Sequence, residues 1–306
     1  MIDPIVYATP VFAVLIIAEI ILSIKHEEHL YETKDFKNSL YLAFGASVIT
    51  SLTKIAVLGI FFFLYESFKG IRLQLLGYES LGWAWWVWIL AFFADDFSFY
   101  WYHRMSHSIR FLWAAHVVHH SSKYFNLGSG IRNGWTTMFY KPLFWLWMPL
   151  LGFHPIMVAT AISINSIYQF FLHSKKVPHL GFIEYIFNTP KLHQVHHSSD
   201  MQYLDKNHGG ILIIWDKLFG TFEREPDTNT LTFGLPKGPD TYNPFKVVFY
   251  EYNNIWHDMR KVPSWKTKLK YMFYSPGWSH DGSTKTAKQI QAGLKKQNQR
   301  ANTYSA

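Results

Sequence analysis

Residues 95–120, DDFSFYWYHRMSHSIRFLWAAHVVHH, carry five histidines and lead directly out of a strongly apolar run. The spacings are HX3H at His103 and His107, then HX2HH at His116, His119 and His120. Far downstream, His193, His196 and His197 repeat the second spacing, and twelve of the sixteen histidines fall between 103 and 208. Four residues is slightly more than one helical turn, so His103 and His107 project from one face with β-carbons about 5 to 6 Å apart. In HX2HH the first histidine shares a face with the third-next and fourth-next positions, which lets one turn present three imidazoles to one region. A lone HX3H pair is commonly an accident of a helix surface. Three patterned clusters are a different matter, and eight imidazoles exceed what one metal holds, so the pattern calls for two metals in one pocket.

Composition narrows the setting. Of 306 residues, 49% are hydrophobic and 19% aromatic, high for a protein that lives in water. There is no cysteine, which excludes disulfides, thiolate ligands and iron-sulfur clusters and leaves histidine and carboxylate as the strong metal donors. The net charge of +8 accompanies no nucleic-acid motif, so no nucleic-acid partner is expected. Of 29 Lys and Arg, 22 fall in 103–134 and 173–306, the histidine-bearing segments, and that bias places them on the cytoplasmic side.

Five apolar runs predict an all-α, multi-span membrane helical bundle with a cytosolic, histidine-rich diiron cap: 5–24, 40–68, 81–102, 135–153 and 155–172. The first lacks the basic flank of a cleaved leader and reads as a retained span. The last two read as a tight helical hairpin with His154 at its tip, far from the other histidines. An odd number of spans puts the N terminus outside and the long C-terminal part inside. Residues 25–38, with His26 and His29, read as a charged surface loop. Lys54 reads as a midmembrane charge paired with Asp95 or Asp96, and Glu19 as facing a neighbouring helix or the interface. The chain divides into N-terminal transmembrane helices (1–80), a catalytic domain of transmembrane helices and histidine-box cap (81–225) and a cytosolic extension (226–306). Within these, 210–222 reads as a buried element and 282–306 as a frayed polar tail.

Around the eight box histidines further roles follow from position. Asp96 lies seven residues before His103, hence two turns back on one face, where its carboxylate could orient a ligand; pairing with Lys54 is the competing reading. His173, ending the last run, reads as a ninth ligand, with Gln169 one turn back. His179 and His208 are left open. Imidazole suits iron, zinc and copper alike; a thiolate-free pair at a membrane face favours iron, dioxygen and a lipid substrate, because hydrolysis of soluble substrates needs no spans. A transporter would distribute its ligands along the spans instead of gathering them at one face.

The three boxes resemble the fatty acid hydroxylase and sterol desaturase superfamily. YWYHRMSH, HVVHHSSKYFNL, IYQFFLHS, FNTPKLHQVHHSSDMQYLDKN and GGILIIWDKLFGTFE are similar to its alkylglycerol monooxygenase branch over roughly 90–225. Two positions depart from the branch: Ser108 stands where it usually has Glu, and His208 where it has Tyr. The resemblance implies an O2-dependent non-heme diiron monooxygenase that oxidises the ether-linked carbon of an alkylglycerol to a hemiacetal. An external donor, tetrahydrobiopterin, would supply electrons. The alternative on the same scaffold is a sterol, fatty acid or carotenoid hydroxylase or desaturase.

Overall fold

A computed structural model describes residues 3–224 and 227–304. Among these the chain is helical throughout, with isolated β-bridges (Phe187 with Leu212, Ser198 with Phe233) in place of strands. Met1, Ile2, Glu225, Pro226, Ser305 and Ala306 lie outside the described residues.

Helix α1 (Pro4–Lys25) starts where the Asp3 carboxylate accepts from the Ile5 N–H at 3.1 Å and Pro4 presets the first turn. Helix α2 (Thr33–Ser67) is capped by Glu32, whose carboxylate accepts from the Asp35 N–H at 2.7 Å. It therefore begins inside the stretch expected to be a loop, and its first two turns bury Asp35, Asn38 and Ser39. Among the described residues, α1 and α2 are the helices long and apolar enough to cross a membrane, with mean hydropathy 2.4 and 2.0. Just 11% and 6% of their apolar windows are buried in the protein, so Val14, Ile17, Phe44, Leu52 and Ile55 face outward, as lipid-facing residues would.

Two charges in these helices have partners. Glu19 is buried and accepts from the Tyr31 hydroxyl, the Leu127 N–H (2.8 Å) and the Ser174 hydroxyl (2.9 Å), so it faces neighbouring elements. Lys54 pairs with Asp3 at the start of α1, not with Asp95 or Asp96.

After the short α3 (Lys69–Leu76), α4 (Trp85–Ser108) buries Val87, Ala91, Asp95, Ser98, Tyr102, His103 and Ser106 along one face and turns Trp85, Ile89 and Phe93 outward. Helix α5 (Arg110–His120) follows after one extended residue and packs back on α4. A single turn, α6 (Leu127–Gly130), is fixed by a capping box between Asn126 and Ser129.

The hairpin expected from 135–172 forms only in its second arm. Residues 137–139 and 141–145 are 3-10 turns, followed by the four-residue α7 (Trp147–Leu150). Pro142 and Pro149, seven residues apart, each remove an amide donor and break a helix running through 135–153. The side chains tie this broken segment to α4 instead: Trp145 Nε1 donates to Asp95 at 2.7 Å and Trp147 Nε1 to Ser98 at 2.9 Å. The second arm, α8 (Pro155–Phe171), is a continuous helix; its start is capped by His154 Nδ1, which accepts from the Ile156 N–H at 3.2 Å.

The remaining helices build the cap: α9 (Pro190–His197), α10 (Ile214–Phe219), α11 (Pro244–Arg260), α12 (Trp265–Phe273) and α13 (Ala287–Tyr304). Helix α11 lays Val247, Val248, Glu251 and Ile255 against α5, where Arg110 donates to Glu251 at 2.7 Å and Asp258 at 2.8 Å. The expected frayed tail is largely helix α13, and Gln291 donates to the Leu204 carbonyl at 2.8 Å, beneath the histidines.

Gly134 marks the tightest approach in the cap: a β-carbon there would stand 2.1 Å from the Ala115 carbonyl oxygen of α5. Gly134→Ala is expected to destabilise the protein by about 1–3 kcal/mol, because backbone cannot step aside as a side chain can. Thermal unfolding in detergent checks this against Gly70→Ala, where nothing lies within 4 Å. Equal melting for the two variants would contradict the packing.

Candidate metal centre

The ends of α4, α5, α8 and α9 converge, and with them all nine expected ligands. They divide into two nests: His103, His107, His116, His120 and His196 in one, and His119, His173, His193 and His197 in the other. Within each nest the donor nitrogens lie within 4.8 Å of one another. Each HX2HH box serves both. The i, i+4 pair His116 and His120 turns to the first nest and His119 to the second, while His193 and His197 turn to the second and His196 to the first. Adjacent residues point about 100° apart on a helix, so a box cannot aim three rings at one metal. It bridges two.

Backbone carbonyls set the rings. The Nδ1–H groups of His103, His119, His173 and His196 donate to the carbonyls of His208 (2.9 Å), Arg132 (2.9 Å), Gln169 (2.8 Å) and Lys206 (2.8 Å). A neutral imidazole that donates from Nδ1 has a bare lone pair at Nε2. His119 Nε2 and His173 Nε2 are both of this kind and stand 3.2 Å apart, lone pair to lone pair. His173 Nε2 is also 3.2 Å from the Nε2 atoms of His193 and His197, and buried Nε2 atoms of His107 and His196 have no hydrogen-bond partner. Buried nitrogens so arranged repel unless a cation sits among them, and the donor set suits borderline divalent metals such as iron or zinc.

The protonation state fits as well. Burial, opposed by the Arg132 carbonyl and aided by the Arg132 charge, holds His119 down at about 4. Burial likewise holds His196 down at about 3, so both rings are neutral and free to ligate near pH 7. Trp113 and Phe125 wall the nests, with ring centroids 5.0 Å from His107 and 5.4 Å from His197.

Asp96 lies two turns before His103 on α4, but its carboxylate has other partners than expected. Its carboxylate accepts from the N–H groups of Ile211 (2.6 Å) and Leu212 (3.1 Å) and from Trp215 Nε1 (2.9 Å), so it anchors the 211–215 turn and orients no ligand ring. Gln169 serves through its backbone carbonyl, while its side-chain amide donates to Asn165, which in turn donates to Asp95. His179 sits against Glu184 at 3.3 Å, away from both nests.

Four contributors were not apparent from the sequence. Arg132 is buried, pairs with Asp35 of α2 at 2.8 Å and offers its carbonyl to His119. Asp216 is buried and accepts from the His208 and Gly209 N–H groups (2.7 and 2.6 Å), holding the carbonyl that orients His103. Asp205 and Asn207 both adopt positive φ (57° and 54°), a backbone state that Asp and Asn tolerate better than other side chains. Through it the loop turns the carbonyls of Lys206 and His208 toward two different rings. The DKN run was the available signal.

Neutral buried histidines destabilise the metal-free fold in acid, because the unfolded chain binds protons near pH 6.5 that the folded rings refuse until far lower pH. Stability of the chelator-treated protein is therefore expected to be fully present above about pH 6.5 and to fall as pH drops toward about 4. Melting temperature followed from pH 7.5 to pH 4 checks this; a flat profile would contradict the burial.

Against known proteins, the fatty acid hydroxylase family model matches residues 88–221, the segment holding both nests. The chain is 35% identical to an alkylglycerol monooxygenase of Danio rerio over 273 residues, 89% of this chain and 59% of that protein. It is 39% identical to the Homo sapiens alkylglycerol monooxygenase over 198 residues, 63% of this chain and 43% of that one. An ornithine lipid hydroxylase, OlsE, of Rhizobium tropici is 30% identical over 149 residues, 48% of this chain and 45% of that protein. This chain thus spans at most about 59% of these relatives' lengths. No solved structure matches. It is thus the segment 88–221, which carries both nests, that is similar to the fatty acid hydroxylase family.

Proposed function

We propose that this chain is an integral membrane oxygenase that binds two iron ions and hydroxylates a lipid, with the ether-linked carbon of an alkylglycerol as the favoured position. The observation that carries the reading is the pair of nests, nine imidazoles in two groups, eight buried and His119 half-buried, with bare nitrogens facing one another. His103, His107, His116, His120 and His196 would hold one ion, and His119, His173, His193 and His197 the other. Iron so bound supplies the dioxygen chemistry that the protein's own side chains lack. The chain's residues do the rest: four carbonyls fix the ring tautomers, and burial keeps water from competing for the donors.

The relatives' names, two alkylglycerol monooxygenases and a hydroxylase of ornithine lipids, support a lipid substrate and leave oxidation of a fatty acyl chain as the second reading. Electrons come in this reading from an external donor, tetrahydrobiopterin in the alkylglycerol case. The cavity bordering His208 holds about 90 Å3, room for a few waters and too small for a bicyclic pterin, so no step is assigned to that group. The lysine and arginine bias supports a cytoplasmic placement of the histidines.

Geometry constrains the oxidised carbon. The ligands emerge at the ends of α4 and α8, next to the most exposed apolar helices, so a lipid reaches them by passing the headgroup end of its chain toward the cap. Oxygenation is therefore expected within the first few atoms of the chain. Cells producing the protein and fed isotope-labelled alkylglycerol, fatty acyl and sterol lipids would show the position by mass spectrometry. Products should vanish in a His173→Ala variant, and mid-chain products that depend on His173 would overturn the geometry.

A further inference from the structure

His208 stands beside the five-histidine nest without belonging to it. Its side chain is buried, and its ring centroid lies 5.0 Å from His107, 5.5 Å from His103 and 5.6 Å from His196. Neighbouring rings within the nest are spaced from 4.3 Å (His103 to His196) to 5.3 Å (His103 to His107), so the His208 ring stands next to three of them at comparable spacing.

Its backbone is committed on both sides. The N–H donates to Asp216 at 2.7 Å and the carbonyl accepts from His103 at 2.9 Å. The preceding Asn207 is fully buried, donates to the carbonyls of Leu192 and Glu223, and accepts from the Glu223 N–H. The loop is thus built to hold this position. The ring is only half satisfied: it has a hydrogen bond to the Asp205 backbone, while Nδ1 is buried and has no hydrogen-bond partner. A packing histidine in a folded interior finds a partner for such an atom. One face of His208 also borders the cavity of about 90 Å3 lined by Arg104, Ser108, Asp205 and Thr221, which leaves room for the ring to turn.

We propose that His208 is a sixth nitrogen donor to the metal held by His103, His107, His116, His120 and His196. Resting on the two-metal reading above, this makes the two ions unlike. The five-histidine ion is closed by protein nitrogen, and the ion of His119, His173, His193 and His197 keeps the open positions that small molecules need.

Cobalt(II) alone, added to the full-length protein in detergent, reports both occupancy and coordination number, since its visible absorption strengthens as a ligand is lost. His208→Ala and His208→Phe are expected to bind two cobalt ions per chain, one of them about 10-fold or more weakly, with visible bands several-fold stronger than those of the parent protein. Free imidazole should return the alanine variant's affinity and spectrum to those of the parent, and the phenylalanine variant, whose ring fills the space, should not respond. Unchanged affinities and spectrum would overturn the proposal. So would an affinity loss that imidazole does not reverse, or failure of both variants to fold, because an added ligand is not needed to fold the metal-free chain. A parent protein that binds no cobalt would defeat the two-metal reading itself, a result distinguishable from all of these.

Discussion

Two neutral imidazoles, His119 and His173, present bare Nε2 lone pairs to one another at 3.2 Å, and much of the surrounding structure exists to keep them there. Each ring is turned by a carbonyl from a different element, Arg132 after α6 and Gln169 in α8. Those elements are held in turn by buried charge: Arg132 by Asp35 of α2, and the Ser174 next to His173 by Glu19 of α1. The membrane-capable helices are thereby wired to the centre through polar contacts, although almost none of their apolar surface is spent on it. Charges that look costly in a hydrophobic helix become the struts of the site.

Box spacing revealed the ligands because it is a local property. An i, i+4 pair must share a face whatever the tertiary structure, so His103 with His107, His116 with His120 and His193 with His197 could be paired on sight. What the spacing could not show is that the middle histidine of each HX2HH box, His119 or His196, crosses to the other nest, since that depends on where four helix ends meet. His173 was reachable because it terminates an apolar run. Asp96 misled: its position two turns before His103 is right, but the 211–215 turn brings three donors to its carboxylate.

The bundle was less legible than the centre. Hydropathy treats 135–153 as one span, yet Pro142 and Pro149 break it, and Trp145 and Trp147 spend their indole N–H groups on α4. The polar tail lacks a strong apolar face and still forms a helix, α13, anchored by Gln291 on the 204–208 loop. That loop was the least foreseeable part, because its function lies in backbone carbonyls. Only Asp205 and Asn207, residues that accept positive φ, hinted at it.

The central claim is that two metal ions occupy two distinct histidine nests. Anomalous scattering at the iron edge, from crystals of the anaerobically purified protein, tests it most directly. The account expects two peaks per chain, one among His103, His107, His116, His120 and His196 and the other among His119, His173, His193 and His197. A single peak shared by both sets, or none in a fully folded protein, would contradict it.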